Sequence, residues 1–247
     1  MKNKSFWISI IAVIISFAGG FILANAFNRI ELDALRAENA RLKSEPEKSV
    51  ENQSELALTE TEIRQKIAEA DQNPADFSFQ KNLGLALYRY AAMKQDSIML
   101  AEVEKVLKRA YNLNEKDTEV AVALGNLQFD LGYIKKDNES FARAREYYSK
   151  VLEQNPKDVN VRTDYGLTFY LQNPPETEKA VAEFQKSLLE NPKHAKTLQF
   201  LTQAMLQTGN TAEAKVYLAK LKEINPNTPN LAELQAQMAQ NENAAKK

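Results

Sequence analysis

From Phe6 to Phe27 the chain carries no charged residue, and at about 1.5 Å per residue such a run spans roughly the 30 Å apolar core of a bilayer. Beyond it the apolar period changes. Ile30 to Lys43, IELDALRAENARLK, places Leu32 and Asn39 at a, and Leu35 and Leu42 at d, of two consecutive heptads. Glu31 and Glu38 then fall at g and Arg36 and Lys43 at e, so a parallel partner would meet each acid with a base, and the polar residue at a favours two strands. A single amphipathic stalk helix is the alternative, because two heptads are short for stability in water; tethering in a membrane raises the effective concentration and favours pairing. Ser44 to Ser54, SEPEKSVENQS, has hardly an apolar residue and reads as a flexible spacer. The expected layout is a short basic amino terminus over 1–5, a transmembrane helix over 6–27, a coiled-coil neck over 28–43, a linker over 44–58, a helical domain over 59–240 and a fraying tail over 241–247.

Lys2 and Lys4 precede the apolar run, and Arg29, Arg36, Arg41 and Lys43 follow it among acids, so the positive-inside count does not orient it. A short basic terminus before one apolar helix is the layout of a bacterial signal anchor, which puts the domain outside the cytoplasm on a single-pass inner-membrane tether. Ala24-Asn25-Ala26 offers a signal-peptidase site and a second reading, a soluble periplasmic product; the apolar run is longer than a signal core, which favours retention. Ala12, Ser16, Gly20 and Ala24 form a small-residue stripe of the kind that lets two membrane helices approach. That stripe and the neck agree on a parallel homodimer, although small residues are common in such helices. Trp7 reads as an interfacial anchor.

From Thr59 onward apolar residues recur at helical spacing, interrupted by five junctions: QNPAD at Gln72 to Asp76, LNEKD at Leu113 to Asp117, QNPKD at Gln154 to Asp158, ENPKH at Glu190 to His194 and INPNT at Ile224 to Thr228. Internal repetition of this kind signals stacked supersecondary units. Two amphipathic helices fit between successive junctions. The first helices carry Leu83-Gly84, Leu124-Gly125, Tyr165-Gly166 and Leu201-Thr202, where a small residue permits close packing of the paired helix. The second carry Ala144 with Tyr148, Ala180 with Phe184 and Ala214 with Leu218, each Ala twelve residues before Pro156, Pro192 or Pro226. On these residues the chain resembles the tetratricopeptide-repeat family. The resemblance implies an all-α, right-handed solenoid of helix-turn-helix repeats over 77–117, 118–158, 159–194 and 195–228, the last with the family's 34-residue length. The first two units are longer, with additions around Lys94 to Ile98 and Gly132 to Asn138; Val103 and Glu115 stand where the family prefers Ala and Pro. A capping box, Thr59-x-x-Glu62, starts a covering helix to about Asp71, and a second cover is expected within 229–240, from Leu231 to Gln240.

In that family partners lie in a concave face lined by the first helices. The matching positions here are Lys81, Leu85, Tyr88 and Arg89; Val122, Asn126, Phe129 and Asp130; Thr163, Leu167 and Tyr170; and Gln199, Gln203 and Leu206. Tyr88, Phe129 and Tyr170 occupy one equivalent position, either as an aromatic ladder for a bound peptide or as rings packed against neighbouring helices. Lys81, Arg89 and Asn126 resemble parts of the carboxylate clamp of chaperone-binding members, but Leu85 and Glu119 stand where that clamp needs polar or basic groups, so the clamp is not carried over. The anchor-plus-repeats layout is also similar to a tetratricopeptide subunit of cytochrome c maturation, whose groove presents apocytochrome for haem attachment.

Net charge is −1 with 26% charged residues, which lacks the excess of Lys and Arg that neutralises nucleic-acid phosphates. With no Cys there is no disulfide, thiolate nucleophile or lipidated cysteine. His194 is the one histidine, read as an exposed helix-start residue, and no phosphate loop, paired-His metal motif or nucleophile elbow occurs. The expectation is a protein- or peptide-binding adaptor with no enzymatic activity, cofactor, metal or nucleic-acid partner.

Overall fold

The structure, a computed structural model, describes residues 60–228 and 230–244. The expected membrane segment, neck and linker lie outside the described residues, and with them Ala12, Ser16, Gly20, Ala24, Leu32, Leu35, Asn39 and Leu42. Among the described residues no helix is long and apolar enough to cross a membrane.

Ten helices and no strand make up the described residues. They are α1 (Glu60–Gln72), α2 (Phe77–Lys94), α3 (Ser97–Leu113), α4 (Thr118–Lys135), α5 (Asn138–Gln154), α6 (Val159–Leu171), α7 (Thr177–Glu190), α8 (Ala195–Gln207), α9 (Thr211–Ile224) and α10 (Leu231–Ala244). The last helix runs past Gln240, into the stretch expected to fray.

Short polar side chains start most of these helices. Asp76, Asp117 and Asp158 accept hydrogen bonds from the backbone N–H of Phe79, Val120 and Val161 at 2.9 to 3.0 Å, while Asp96 caps α3 and Asp137 caps α5. Each cap satisfies an amide that the helix cannot, worth about 1 kcal/mol. Pro74, Pro156, Pro192 and Pro226 stand in the tight turns between helices, where the missing N–H costs nothing. The turn between α8 and α9 needs Gly209 at φ 77°, a backbone shape other residues adopt at a cost.

Packing is by pairs: α2 with α3, α4 with α5, α6 with α7, α8 with α9. Gly84, Gly125 and Gly166 lie directly under Leu107, Tyr148 and Phe184 of the paired helices. On the second helices Val103, Ala144, Ala180 and Ala214 are fully buried. The first helices of successive pairs also touch one another (α2 with α4, α4 with α6, α6 with α8), whereas the second helices make no comparable contact. A row in which one set of helices stands closer than the other must curve, so α2, α4, α6 and α8 form its inner face. Covers close the two ends. Ile63 and Ala70 of α1 are buried against the first pair, with Gln80 Nε2 donating to the carbonyls of Ala70 and Asn73 at 2.7 and 2.8 Å. At the other end α10 buries Leu234 and Met238 and touches both α8 and α9.

Two apolar clusters result, one from Ile63 to Val161 and one from Leu167 to Met238, and Phe129 packs against both. A buried hydroxyl set joins α6, α7 and α8: Thr163 Oγ1 is 2.7 Å from Thr197 Oγ1 and 2.9 Å from Ser187 Oγ. Every hydroxyl there has a partner, which is what makes polar atoms tolerable at that depth.

Candidate protein-binding groove

The inner face is built from the fifth, ninth, twelfth and thirteenth positions of the first helices, and its two ends differ. At the amino-terminal end the residues are part-exposed. Lys81 is not a free cation: its Nζ lies 2.7 Å from Asp117 and 2.8 Å from Glu119, hydrogen bonds that raise its pKa. The same residues leave Lys81 unavailable to a carboxylate clamp. Leu85 is half-buried against the core. Arg89 is exposed. Asn126 accepts a hydrogen bond from the Tyr148 hydroxyl at 2.8 Å.

The three rings of the proposed ladder are each half-buried. Phe129 meets Phe141 edge-to-face at 5.7 Å, Tyr170 packs against the second cluster, and burial pushes its hydroxyl up to about 12. Tyr88 packs against the first cluster while its hydroxyl donates to Asp130 Oδ2 at 2.9 Å. All three therefore pack on neighbouring helices and still keep some surface on the inner face.

Asp130 is the electrostatic centre. Loss of water pushes its carboxyl up to about 7 against the lowering hydrogen bond from Tyr88; the nearby charge of Asp164 adds a lesser rise and Lys196 a lesser fall. Asp164 is itself paired with Lys196 at 2.6 Å. Burial, reinforced by Asp164 and Asp130, also drives the Tyr148 hydroxyl well above its ordinary value. Asp164, Lys196 and Tyr148 were not legible as site residues in the sequence. Tyr148 comes from a second helix, and Asp164 and Lys196 are not among the groove positions read from the sequence.

At the carboxy-terminal end the expected lining residues are interior. Thr163 and Gln199 are fully buried, Leu167 is 3% exposed and Leu206 5%. Their positions pack beneath the next first helix or, for α8, beside α10, where Asn241 Nδ2 donates to the Leu206 carbonyl at 2.8 Å. Tyr170 and Gln203 keep partial exposure there. Buried Gln199 has no hydrogen bond at either side-chain polar atom.

His194 is not the exposed residue expected. It is partly buried, with Nδ1 2.6 Å from Thr197 Oγ1 and Nε2 3.0 Å from Asn160 Oδ1. Desolvation, helped by Lys196, lowers its pKa. Among the described residues no group of His, Asp or Glu could hold a metal ion.

Residues 176–238 match the tetratricopeptide-repeat family model. No curated protein matches the chain. Among solved structures, MamA from residue 41 onward of Desulfovibrio magneticus RS-1 superposes with a TM-score of 0.54 at 17% identity, covering 68% of this chain and 85% of that one. A second MamA structure gives 0.52 at 17% identity, over 68% and 84%. At that identity the likeness is one of fold. Residues 176–238 thus carry the tetratricopeptide-repeat match in sequence, and the described helix pairs share the stacked fold of the MamA structures.

Proposed function

We propose that this chain is a membrane-anchored adaptor that recruits protein partners by binding a peptide segment along the inner face of its helical solenoid. The observation that carries the reading is the single row of α2, α4, α6 and α8, on which Leu85, Tyr88, Asn126, Phe129, Tyr170 and Gln203 keep surface while the rest of each side chain is fixed by packing. Rigid, half-exposed aromatic and amide groups give contact area at low entropic cost. The uncharged Phe6 to Phe27 run supports a single-pass tether with the domain on the extracytoplasmic side, and the heptads after it support a parallel dimer.

In-cell proximity crosslinking of the full-length protein tests the groove. Leu85→Glu and Gln203→Glu change the inner face without truncating a core ring, and partners should be lost from both. An unchanged partner set would place binding elsewhere. Enrichment of apocytochrome carboxy-terminal peptides over scrambled ones would select the cytochrome c maturation role. For the neck, Leu35→Pro should abolish crosslinking between neighbouring neck segments and leave the helix content of the repeat domain unchanged; persistent crosslinking refutes the dimer.

A further inference from the structure

We infer that the groove selects partners carrying a basic side chain, seated against Asp130 between Tyr88 and Asp164. The inference rests on the groove-binding reading and gives it a chemistry. Three observations lead to it. First, the two carboxylates at the middle of the inner face are unequally served: Asp164 has Lys196 at 2.6 Å, whereas the hydrogen bond made to Asp130 comes from the neutral Tyr88 hydroxyl at 2.9 Å. Second, among the described residues no cation is ion-paired with Asp130. Lys81 is held by Asp117 and Glu119. Third, the walls are ordered before any ligand arrives, because Tyr88 is tied to Asp130, and Tyr148 to Asn126.

A carboxylate short of water and lacking its own cation is costly to ionise. An incoming ammonium or guanidinium supplies the missing charge and three or five donors, while its aliphatic stem lies along the ring of Tyr88. A neutral or acidic side chain in that place would leave the charge uncompensated or oppose it, so Asp130 acts by exclusion as well as attraction. The groups facing it are Tyr88 from α2, Tyr148 from α5, Asp164 from α6 and Lys196 from α8. The net charge that these groups and Asp130 present when ionised is −1, which matches one basic residue.

The test is a positional-scanning array of immobilised dodecapeptides in which one position at a time is fixed as Lys, Arg, norleucine or Glu. It is probed at pH 8 with the detergent-solubilised full-length protein. Lys or Arg at one position should be retained about tenfold or more over norleucine, the span of a charge-assisted hydrogen bond. Near-isosteric Asp130→Asn keeps an acceptor for Tyr88 and should erase that preference. Equal retention of Lys and norleucine by the wild type, a comparison that needs no variant, overturns the proposal, as does an unchanged preference in Asp130→Asn. Leu85→Glu separates the two readings. If it lowers retention while no basic preference exists, the groove stands and the Asp130 subsite falls; if no peptide is retained above background, both fall.

Discussion

Replacing Gly125 by Ala puts the helix-pair geometry to a quantitative test. A methyl group built there would stand 2.5 Å from Tyr148 Cε1 and 2.7 Å from Cδ1, far inside the optimum of about 3.5–4.0 Å. The ring has little freedom to yield: Tyr148 is 1% exposed and its hydroxyl is held by Asn126 at 2.8 Å. Overpacking of this kind costs about 1–3 kcal/mol, and the better helix propensity of Ala returns about 1 kcal/mol. The net loss should be about 0–2 kcal/mol, or a fall in Tm of about 2–4 °C per kcal/mol for a domain of this size. Gly166→Ala, whose methyl meets Phe184 Cε1 at 2.7 Å, should behave alike; Gly84→Ala should cost less, because it meets the flexible end of Leu107 at 2.6 Å. Urea unfolding of the full-length protein followed by far-ultraviolet circular dichroism gives the midpoints. In a Tyr148→Leu background the Gly125→Ala penalty should shrink, a coupling that a double-mutant cycle isolates. Stability above wild type for Gly125→Ala, or strict additivity with Tyr148→Leu, refutes the reasoning.

Gln199→Met should stabilise the domain by about 1–3 kcal/mol, because it removes a buried amide with no partner and keeps the volume; a lower midpoint would show that the amide is satisfied. The Asp130 carboxyl is raised in the fold from 3.8 to about 7, so its contribution is complete below pH 4 and lost as the pH rises through 7. Asp130→Asn should therefore overtake wild type above pH 7, by up to about 4 kcal/mol at about 1.4 kcal/mol per pH unit, as read from urea midpoints across pH; parallel curves for the two proteins would argue against it. His194 has the opposite sign. Its folded pKa is depressed below 6.5, so its contribution is full above that value and lost as the pH falls from there. His194→Gln should flatten the stability curve between pH 6.5 and the folded value, and an unchanged curve would count against the burial of the ring.

Much of this architecture was written locally. The recurring Asn-led turns with Asp at the next helix start define helix ends through backbone chemistry that acts within four residues, as the caps at Asp76, Asp117 and Asp158 show. Gly84, Gly125 and Gly166, aligned with a buried large residue on the partner helix, carry the pairing because the small side chain and its bulky neighbour recur at fixed spacing. Those signals suffice for an all-α repeat fold. The sequence alone also holds what can be said of the membrane run and the heptads, whose apolar periodicity speaks without a fold.

Which groove positions stay open was decided in three dimensions. Thr163, Leu167 and Gln199 share repeat positions with Lys81, Asn126 and Val122, yet they are buried because α8 and α10 close over the carboxy-terminal half. The repeat pattern assigns each residue a place within its unit; how much of that place remains exposed depends on the curvature of the stack and on what the end helices cover. The charge at Asp130 is likewise a tertiary property. Its hydrogen-bond donor Tyr88 lies 42 residues away and its electrostatic neighbours Asp164 and Lys196 belong to later repeats, so the ionisation of an ordinary-looking aspartate follows from desolvation and from partners that only the folded chain assembles.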